Sequence, residues 1–148
     1  MNIVLKEIKE FDEFEKLFYK RNGFDDYFWE DILEKEEFYL RKSTIKLAII
    51  DGNNVGLVEF SDSNDFPLME SIEITRLEVQ DNFREKGYGR AIVNLLRKSL
   101  DESIYLFGFS VSESVEFWRK VASSYDREAY NIVVKEEYNS DFLMHFAI

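Results

Sequence analysis

Arg76-Leu-Glu-Val-Gln-Asp-Asn-Phe-Arg-Glu-Lys-Gly-Tyr-Gly-Arg-Ala-Ile-Val-Asn-Leu-Leu96 is the stretch on which the fold turns. It reads as a strand, a short turn and then two glycines opening a helix. A helix starting near Gly89 leaves its first backbone N–H groups without acceptors, and they point into the turn with the positive end of the helix dipole. Gly87 and Gly89 carry no Cβ, so an anion can approach the backbone and the chain can take φ > 0. Arg84, Lys86 and Arg90 add side-chain cations at the same place. Such a junction suits a phosphate or pyrophosphate. The alternative is a glycine-rich helix start that binds nothing.

The spacing narrows the choice of ligand. A P-loop needs Gly-x-x-x-x-Gly-Lys-Ser/Thr, and no Lys-Ser/Thr follows these glycines. A dinucleotide fingerprint needs a third glycine where Ile92 stands, which weakens that reading. Arg84-x-x-Gly87-x-Gly89 resembles the Arg/Gln-x-x-Gly-x-Gly/Ala signature of the GCN5-related N-acetyltransferase (GNAT) superfamily. Leu77-Glu78-Val79 ends eight residues before Gly87, the spacing at which that family's fourth strand precedes the turn. The resemblance implies acetyl-coenzyme A (acetyl-CoA) as cosubstrate. It implies Arg84, Glu85, Lys86, Gly87, Tyr88, Gly89 and Arg90 as the cradle of the pyrophosphate. The backbone of Leu77, Glu78 and Val79 would be the track for the pantetheine arm.

Composition sets outer bounds. A chain of 148 residues with 45% hydrophobic residues, 14 Phe and 8 Tyr can bury a substantial core, so one domain over residues 1–148 is expected. No apolar run approaches the ~20 residues of a membrane span, and Met1-Asn2-Ile3-Val4-Leu5-Lys6-Glu7 does not look like a signal peptide. With no Cys there is no disulfide framework or thiolate metal site, and a cytoplasmic location is the plain expectation. His145 is the only histidine, without an arranged second ligand, so no metal site is expected. A formal charge of −11 argues against nucleic acid and anionic membranes as partners. It is compatible with a cationic amine acceptor drawn in by the long-range field, or with acidity that only keeps the protein soluble.

The periodicities predict an ordered series of elements. Ile3–Ile8 alternates as a strand, and Phe11, Phe14, Leu17 and Phe18 recur at helical spacing before Asn22-Gly23. A second helix is expected over Tyr27–Leu40. Lys46–Asp51 and Val55–Ser61 form a hairpin about Gly52-Asn53-Asn54. Ser61–Leu68 is the longest polar loop. In the strand from Glu70 to Val79, Ile72 and Ile74 share one parity while Leu77 and Val79 share the other. That pattern requires either a bulge near Thr75–Arg76 or burial on both faces, and the family resemblance favours the bulge. Ala91, Ile92, Leu95, Leu96, Ser99 and Leu100 make one helical face, and Ile104–Val111 reads as a parallel strand after a right-handed crossover. A helix over Ser114–Ser123, capped by Ser112 or Ser114, precedes strands at Arg127–Lys135 and Ser140–Ile148 around Glu136–Asn139. This order is similar to the GNAT fold from end to end. The expected class is α/β (α+β), a mixed and mostly antiparallel twisted sheet of about 6–7 strands, with a central parallel pair splayed by a bulge and about 4 flanking helices.

Acetyl transfer to an amine needs a neutral nitrogen, and an alkylammonium of pKa ~10.4 costs about 4–5 kcal/mol to deprotonate at pH 7. Glu73 lies six residues before Val79, where the histone-acetyltransferase branch of the family places its base glutamate. The alternative is a polar position of an alternating strand. The Val79 N–H is the expected polarising donor to the thioester carbonyl, so Glu73 and Val79 form the catalytic pair. Many family members carry Asn-x-x-Ala-x-x-Phe/Leu-Tyr in the helix after the fifth strand. Aligning Phe117-Trp118 on Phe/Leu-Tyr puts Val111 at the Asn and Ser114 at the Ala, which makes Ser114 and Trp118 candidate coenzyme contacts. Trp118 offers an N–H donor but no acidic proton; Tyr125 and Tyr88 are weaker substitutes. Phe24-Asp25-Asp26-Tyr27-Phe28-Trp29-Glu30 combines aromatic rings with carboxylates, suited to a cationic amine or simply to a helix start and core. The resulting expectation is an acetyl-CoA-dependent N-acetyltransferase, monomeric or homodimeric, acting by direct attack of a primary amine of a small molecule or peptide. A catalytically silent acyl-CoA sensor or partner module is the alternative.

Overall fold

The computed structural model describes residues 2–19, 23–126 and 142–148. Among the described residues, seven strands are hydrogen-bonded in the order β1-β2-β3-β4-β5-β7-β6. The chain divides into two compact units, Met1–Phe60 with Arg76–Leu95, and Ser61–Thr75 with Leu96–Ile148.

In the first unit, β1 (Ile3–Glu7) runs antiparallel to β2 (Thr44–Ile50), and β2 runs antiparallel to β3 (Asn53–Ser63). The β2–β3 turn is tighter than the sequence predicts. Asp51 (φ 48°) and Gly52 (φ 83°) both take the left-handed conformation, so Ile50 faces Asn53 directly. Two consecutive positive φ values give the turn whose twist matches a hairpin, and Asn53 and Asn54 therefore start β3. Ala48 pairs with Gly56 and Ile49 with Asn54, which leaves Val55 as an extra residue.

The helices α1 (Phe11–Lys16) and α2 (Lys35–Leu40) pack Phe14 and Phe38 with centroids 5.3 Å apart, and Trp29 meets Phe14 edge-on at 5.8 Å. These three rings are 0% exposed, and with Ile45 and Leu57 they centre the core. One continuous helix over Tyr27–Leu40 is not formed. Tyr27–Ile32 is a 3₁₀ turn, and Glu34 is extended (φ −92°, ψ 134°) before α2 begins. The reason is tertiary: the Phe28 carbonyl, which an α-helix would offer to Ile32, accepts from the Arg76 guanidinium at 2.9 Å.

β4 (Ser71–Val79) and α3 (Tyr88–Ser99) contribute residues to both units. After Ser71, deep burial in β4 falls on positions 72, 74 and 78, while Leu77 and Val79 are half-buried. The phase change expected in side-chain burial is thus absent, because the carboxylate of Glu78 occupies the third buried position. On α3 the buried positions are Gly89, Ile92, Val93 and Leu96. Ala91 and Leu95 are only half-buried, so the core-facing stripe is rotated by about one residue from the expected one.

In the second unit, the start of β4 pairs in parallel with β5 (Tyr105–Val111) through Ser71–Tyr105, Ile72–Leu106 and Glu73–Phe107. β5 pairs antiparallel with β7 (Phe142–Ala147), which pairs with the short β6 (Ser124–Asp126). Gly108 is required here: a Cβ would lie 2.4 Å from the Phe146 ring and 3.0 Å from the Ile74 carbonyl. An antiparallel pair thus closes this end, with Ser124–Asp126 as the described part of its first strand; the expected 127–135 strand and Glu136–Asn139 turn lie outside the described residues. A 3₁₀ turn, Ser112–Ser114, leads into α4 (Val115–Val121). Ser114 stands at the N-cap of α4, as expected, but its hydroxyl makes no capping hydrogen bond and donates to the Val111 carbonyl at 3.3 Å. Among the described residues no helix is long and apolar enough to cross a membrane.

Candidate coenzyme site

The turn that follows β4 is built from its backbone outward. The Gln80 N–H donates to the Val55 carbonyl at 2.7 Å, and a 3₁₀ turn covers Asp81–Phe83. Arg84 is extended, Glu85 is left-handed (φ 63°) and Gly87 is left-handed (φ 82°). The first helical hydrogen bond joins the Ala91 N–H to the Gly87 carbonyl at 3.1 Å. Helix α3 therefore opens at Tyr88, one residue before the expected start, and Gly87 is the glycine that needs positive φ. Gly89 is helical and buried, a packing position on the core-facing stripe. A Cβ at Gly87 would meet nothing within 4 Å, so the space above this turn is open.

The cations of the turn are not equivalent. Arg84 folds back, its Nε donating to the Val79 carbonyl at 2.9 Å and its Nη1 pairing with Asp81 at 3.0 Å. Lys86 lies 5.9 Å from the centroid of Phe83, whose ring is 6.0 Å from that of Tyr88. Arg84, Glu85, Lys86, Gly87 and Arg90 are exposed, and Tyr88 is half-buried. The amides of the first turn of α3, Tyr88 and Gly89 among them, have no acceptor within their own helix. With the dipole and exposed Lys86, they can hold an anion. The donor set, the open space over Gly87 and the extended strand end at Leu77–Val79 fit a pyrophosphate with an extended arm.

Arg76 and Glu78 stand two residues apart on β4 and therefore share a face. Glu78 is 6% exposed and accepts from Trp29 Nε1 and from the Asp25 N–H, both at 2.9 Å. Burial pushes its pKa above the usual carboxylate value, reinforced by the Asp25 charge. The two hydrogen bonds and Arg84 oppose the rise. Arg76 holds Asp31 with two hydrogen bonds at 2.6 and 2.7 Å, donates to buried Glu59 at 2.7 Å, and lies 4.9 Å over the Trp29 ring. Its hydrogen bonds keep Asp31 below the ordinary carboxylate range. Asp25, Asp26, Tyr27, Phe28 and Glu30 remain exposed along the outside of the segment so held.

The remaining candidates lie in the second unit. Glu73 is half-buried on β4 opposite Phe107. Ser114 meets the buried Ser110 hydroxyl at 3.0 Å. Trp118 is 6% exposed and stacks on Phe146 with centroids 3.9 Å apart and planes at 10°. Its ring is a core element of this unit. The side chains of Tyr125 and His145 lie outside the described residues. Leu77–Val79 and Arg84–Arg90 thus come together in the first unit, and Glu73, Ser114 and Trp118 belong to the second. Among the described residues, no group of three or more His, Asp or Glu is arranged to hold a metal.

Sequence reasoning missed the roles of Arg76, Trp29 and Gly56. A Cβ at Gly56 would lie 2.6 Å from Ile92 Cδ1 and 2.9 Å from the Glu78 carbonyl, so this glycine seats α3 on the strands. Arg76 is the one basic residue of β4, which was the available signal for the first.

Comparison with known proteins places this mixed sheet with its parallel pair. The fold is similar to a ribosomal-protein-alanine N-acetyltransferase from Brucella melitensis biovar Abortus 2308, with TM-score 0.58, 20% identity, and 83% of this chain and 91% of that one covered. It is also similar to a spermidine N-acetyltransferase variant from Vibrio cholerae, with TM-score 0.59, 14% identity and 99% and 92% coverage. Tetrahymena GCN5 matches with TM-score 0.59, 13% identity and 98% and 96% coverage. A search of curated protein sequences gives no match. The acetyltransferase (GNAT) family model matches residues 6–122, and the chain belongs to that family.

Proposed function

We propose that the protein is an acetyl-CoA-dependent N-acetyltransferase whose acceptor is a primary amine of a small molecule or peptide. The observation that carries this reading is the left-handed, open turn at Gly87 running into the first amides of α3. Structural neighbours named for spermidine and for a ribosomal-protein alanine support an amine acceptor. Residues 1–148 act as one acetyltransferase domain, cytoplasmic and monomeric or homodimeric, with no nucleic acid or membrane as partner.

Bound acetyl-CoA supplies the activated acetyl thioester. Lys86, Gly87, Tyr88, Gly89 and Arg90 hold its pyrophosphate. Arg84 and Glu85 shape the turn, Arg84 by tying itself to the Val79 carbonyl. The Leu77–Val79 backbone aligns the extended arm, and the Val79 N–H polarises the carbonyl oxygen. Glu73 takes the proton from the acceptor ammonium, directly or through a water, so that the nitrogen lone pair can attack. As the C–N bond forms, the C–S bond breaks, and the second proton of the attacking nitrogen passes to water or to the departing thiolate. A thiol of pKa ~8.5 leaves as thiolate near neutrality without an acid, and Ser114 and Trp118 contribute packing near the strand–helix junction rather than a proton.

Isothermal titration of acetyl-CoA, followed by thiol release against an amine panel, tests the assignment. Gly87→Glu should abolish coenzyme binding, because it places bulk and like charge over the anion site on a backbone that disfavours any side chain. Unchanged affinity in that variant sinks the coenzyme assignment. Glu73→Gln should leave coenzyme affinity intact and lower turnover, most strongly at low pH. A second reading, an acyl-CoA sensor without turnover, is favoured by Val111 and Trp118 at the Asn and Tyr positions of the family pattern, and predicts binding without thiol release for any amine.

A further inference from the structure

We infer that Glu78 is a positioning residue: its side chain locks the Asp25–Trp29 segment onto β4 beside the coenzyme turn and so fixes the edge presented to the amine. This rests on the acetyltransferase reading for its functional consequence, though not for its geometry. The two carboxylate oxygens are divided between two donors of one short segment. Oε2 accepts from the Asp25 N–H, and Oε1 accepts from Trp29 Nε1. Two residues back on the same strand face, Arg76 seizes the far end of that segment through the Phe28 carbonyl and the Asp31 carboxylate. The strand that ends at Val79 thereby holds residues 25–31 at four hydrogen-bonded points, while Asp25, Asp26, Tyr27 and Phe28 stay exposed.

The chemistry singles out a carboxylate at this position. Both partners are donors, so only a group that accepts at two oxygens satisfies them together. A glutamine of the same shape accepts from one and turns its NH₂ toward the other, leaving a buried donor facing a donor. A hydrophobic residue would fill the space at less desolvation cost. Packing alone therefore gives no reason for a charge here, whereas a two-point lock does.

Hydrogen exchange and kinetics on Glu78→Gln decide the matter, with the double variant Glu78→Gln/Trp29→Phe as control. The Asp25 amide and the Trp29 indole N–H should exchange about tenfold faster in Glu78→Gln than in the wild type, the scale of one lost buried hydrogen bond. The KM for the amine giving fastest thiol release should rise several-fold, well beyond any change in acetyl-CoA affinity or kcat. Removing the indole donor lets the glutamine serve Asp25 alone, so the double variant should recover Asp25 protection and part of the KM. Unchanged exchange in Glu78→Gln overturns the lock. Faster exchange with unchanged amine KM overturns the positioning role. Loss of acetyl-CoA binding by the wild type would instead strike the acetyltransferase reading, and the exchange measurement would still judge the lock.

Discussion

Two carboxylates on or against β4 respond to pH in opposite directions. The raised pKa of Glu78 means that its protonated form is favoured by folding. Its contribution to stability is therefore full below the unfolded-chain value of ~4.3 and is lost as pH rises through the raised folded value. Asp31, held low by Arg76, contributes stability above the unfolded value of ~3.9 that is lost as pH falls through its folded value. Denaturant titrations across pH should show Glu78→Gln losing the decline on the weakly acidic side, and Asp31→Asn losing part of the acid limb. Arg76→Met should be far more costly, about 3–5 kcal/mol by chemical denaturation, because it removes the cation hydrogen-bonded to the buried carboxylate of Glu59. A loss under 1 kcal/mol would mean that the Ser43 hydroxyl, 2.7 Å from Glu59, is sufficient company. These residues illustrate the limit of sequence at this scale. Gly87 was legible as a turn glycine because its positive φ is a local constraint. The Arg76–Asp31 and Glu78–Trp29 pairs lie 45 and 49 residues apart, and nothing local to either end reveals its partner.

The elements were legible where one periodicity dominated. Alternation marked β1, the turn residues Gly52-Asn53-Asn54 marked the β2–β3 hairpin, and apolar spacing marked α1 and α3, because a strand or helix facing one core repeats at its own period. The Tyr27–Leu40 segment failed because two shorter pieces with compatible spacing look like one helix. Only the diversion of the Phe28 carbonyl to Arg76 breaks them apart. The α3 stripe shifted for a related reason. Gly89 joins the buried side of α3 while its amide stays in the helix's first turn. Gly56→Ala tests the seating of that helix: a Cβ 2.9 Å from the Glu78 carbonyl cannot be relieved by a side-chain rotation. The expected loss is about 1–3 kcal/mol of stability in a denaturant melt. Retained stability would show that β3 can shift from β4 at little cost.

At the scale of the whole molecule, the coenzyme should behave as a folding ligand. Acetyl-CoA at 100 times its Kd should stabilise the protein by about 2.7 kcal/mol, visible as a rise in Tm by scanning calorimetry, and Gly87→Glu should erase the rise. A formal charge of −11 adds a kinetic expectation: association with a polycationic amine should slow as salt is raised, in stopped-flow measurements, while that with a neutral amine should not. Composition, the Arg84-x-x-Gly87-x-Gly89 spacing and the strand–turn–helix pattern around it were sufficient to determine the family and the order of elements. Each depends on residues close together in the chain, where periodicity and φ preferences act. Tertiary structure alone decided which carboxylate is buried, which segment β4 holds, and that Trp118 stacks on Phe146. Those outcomes depend on which groups remain to satisfy one another once the sheet has formed, and a buried polar group accepts whatever partner the fold brings within reach.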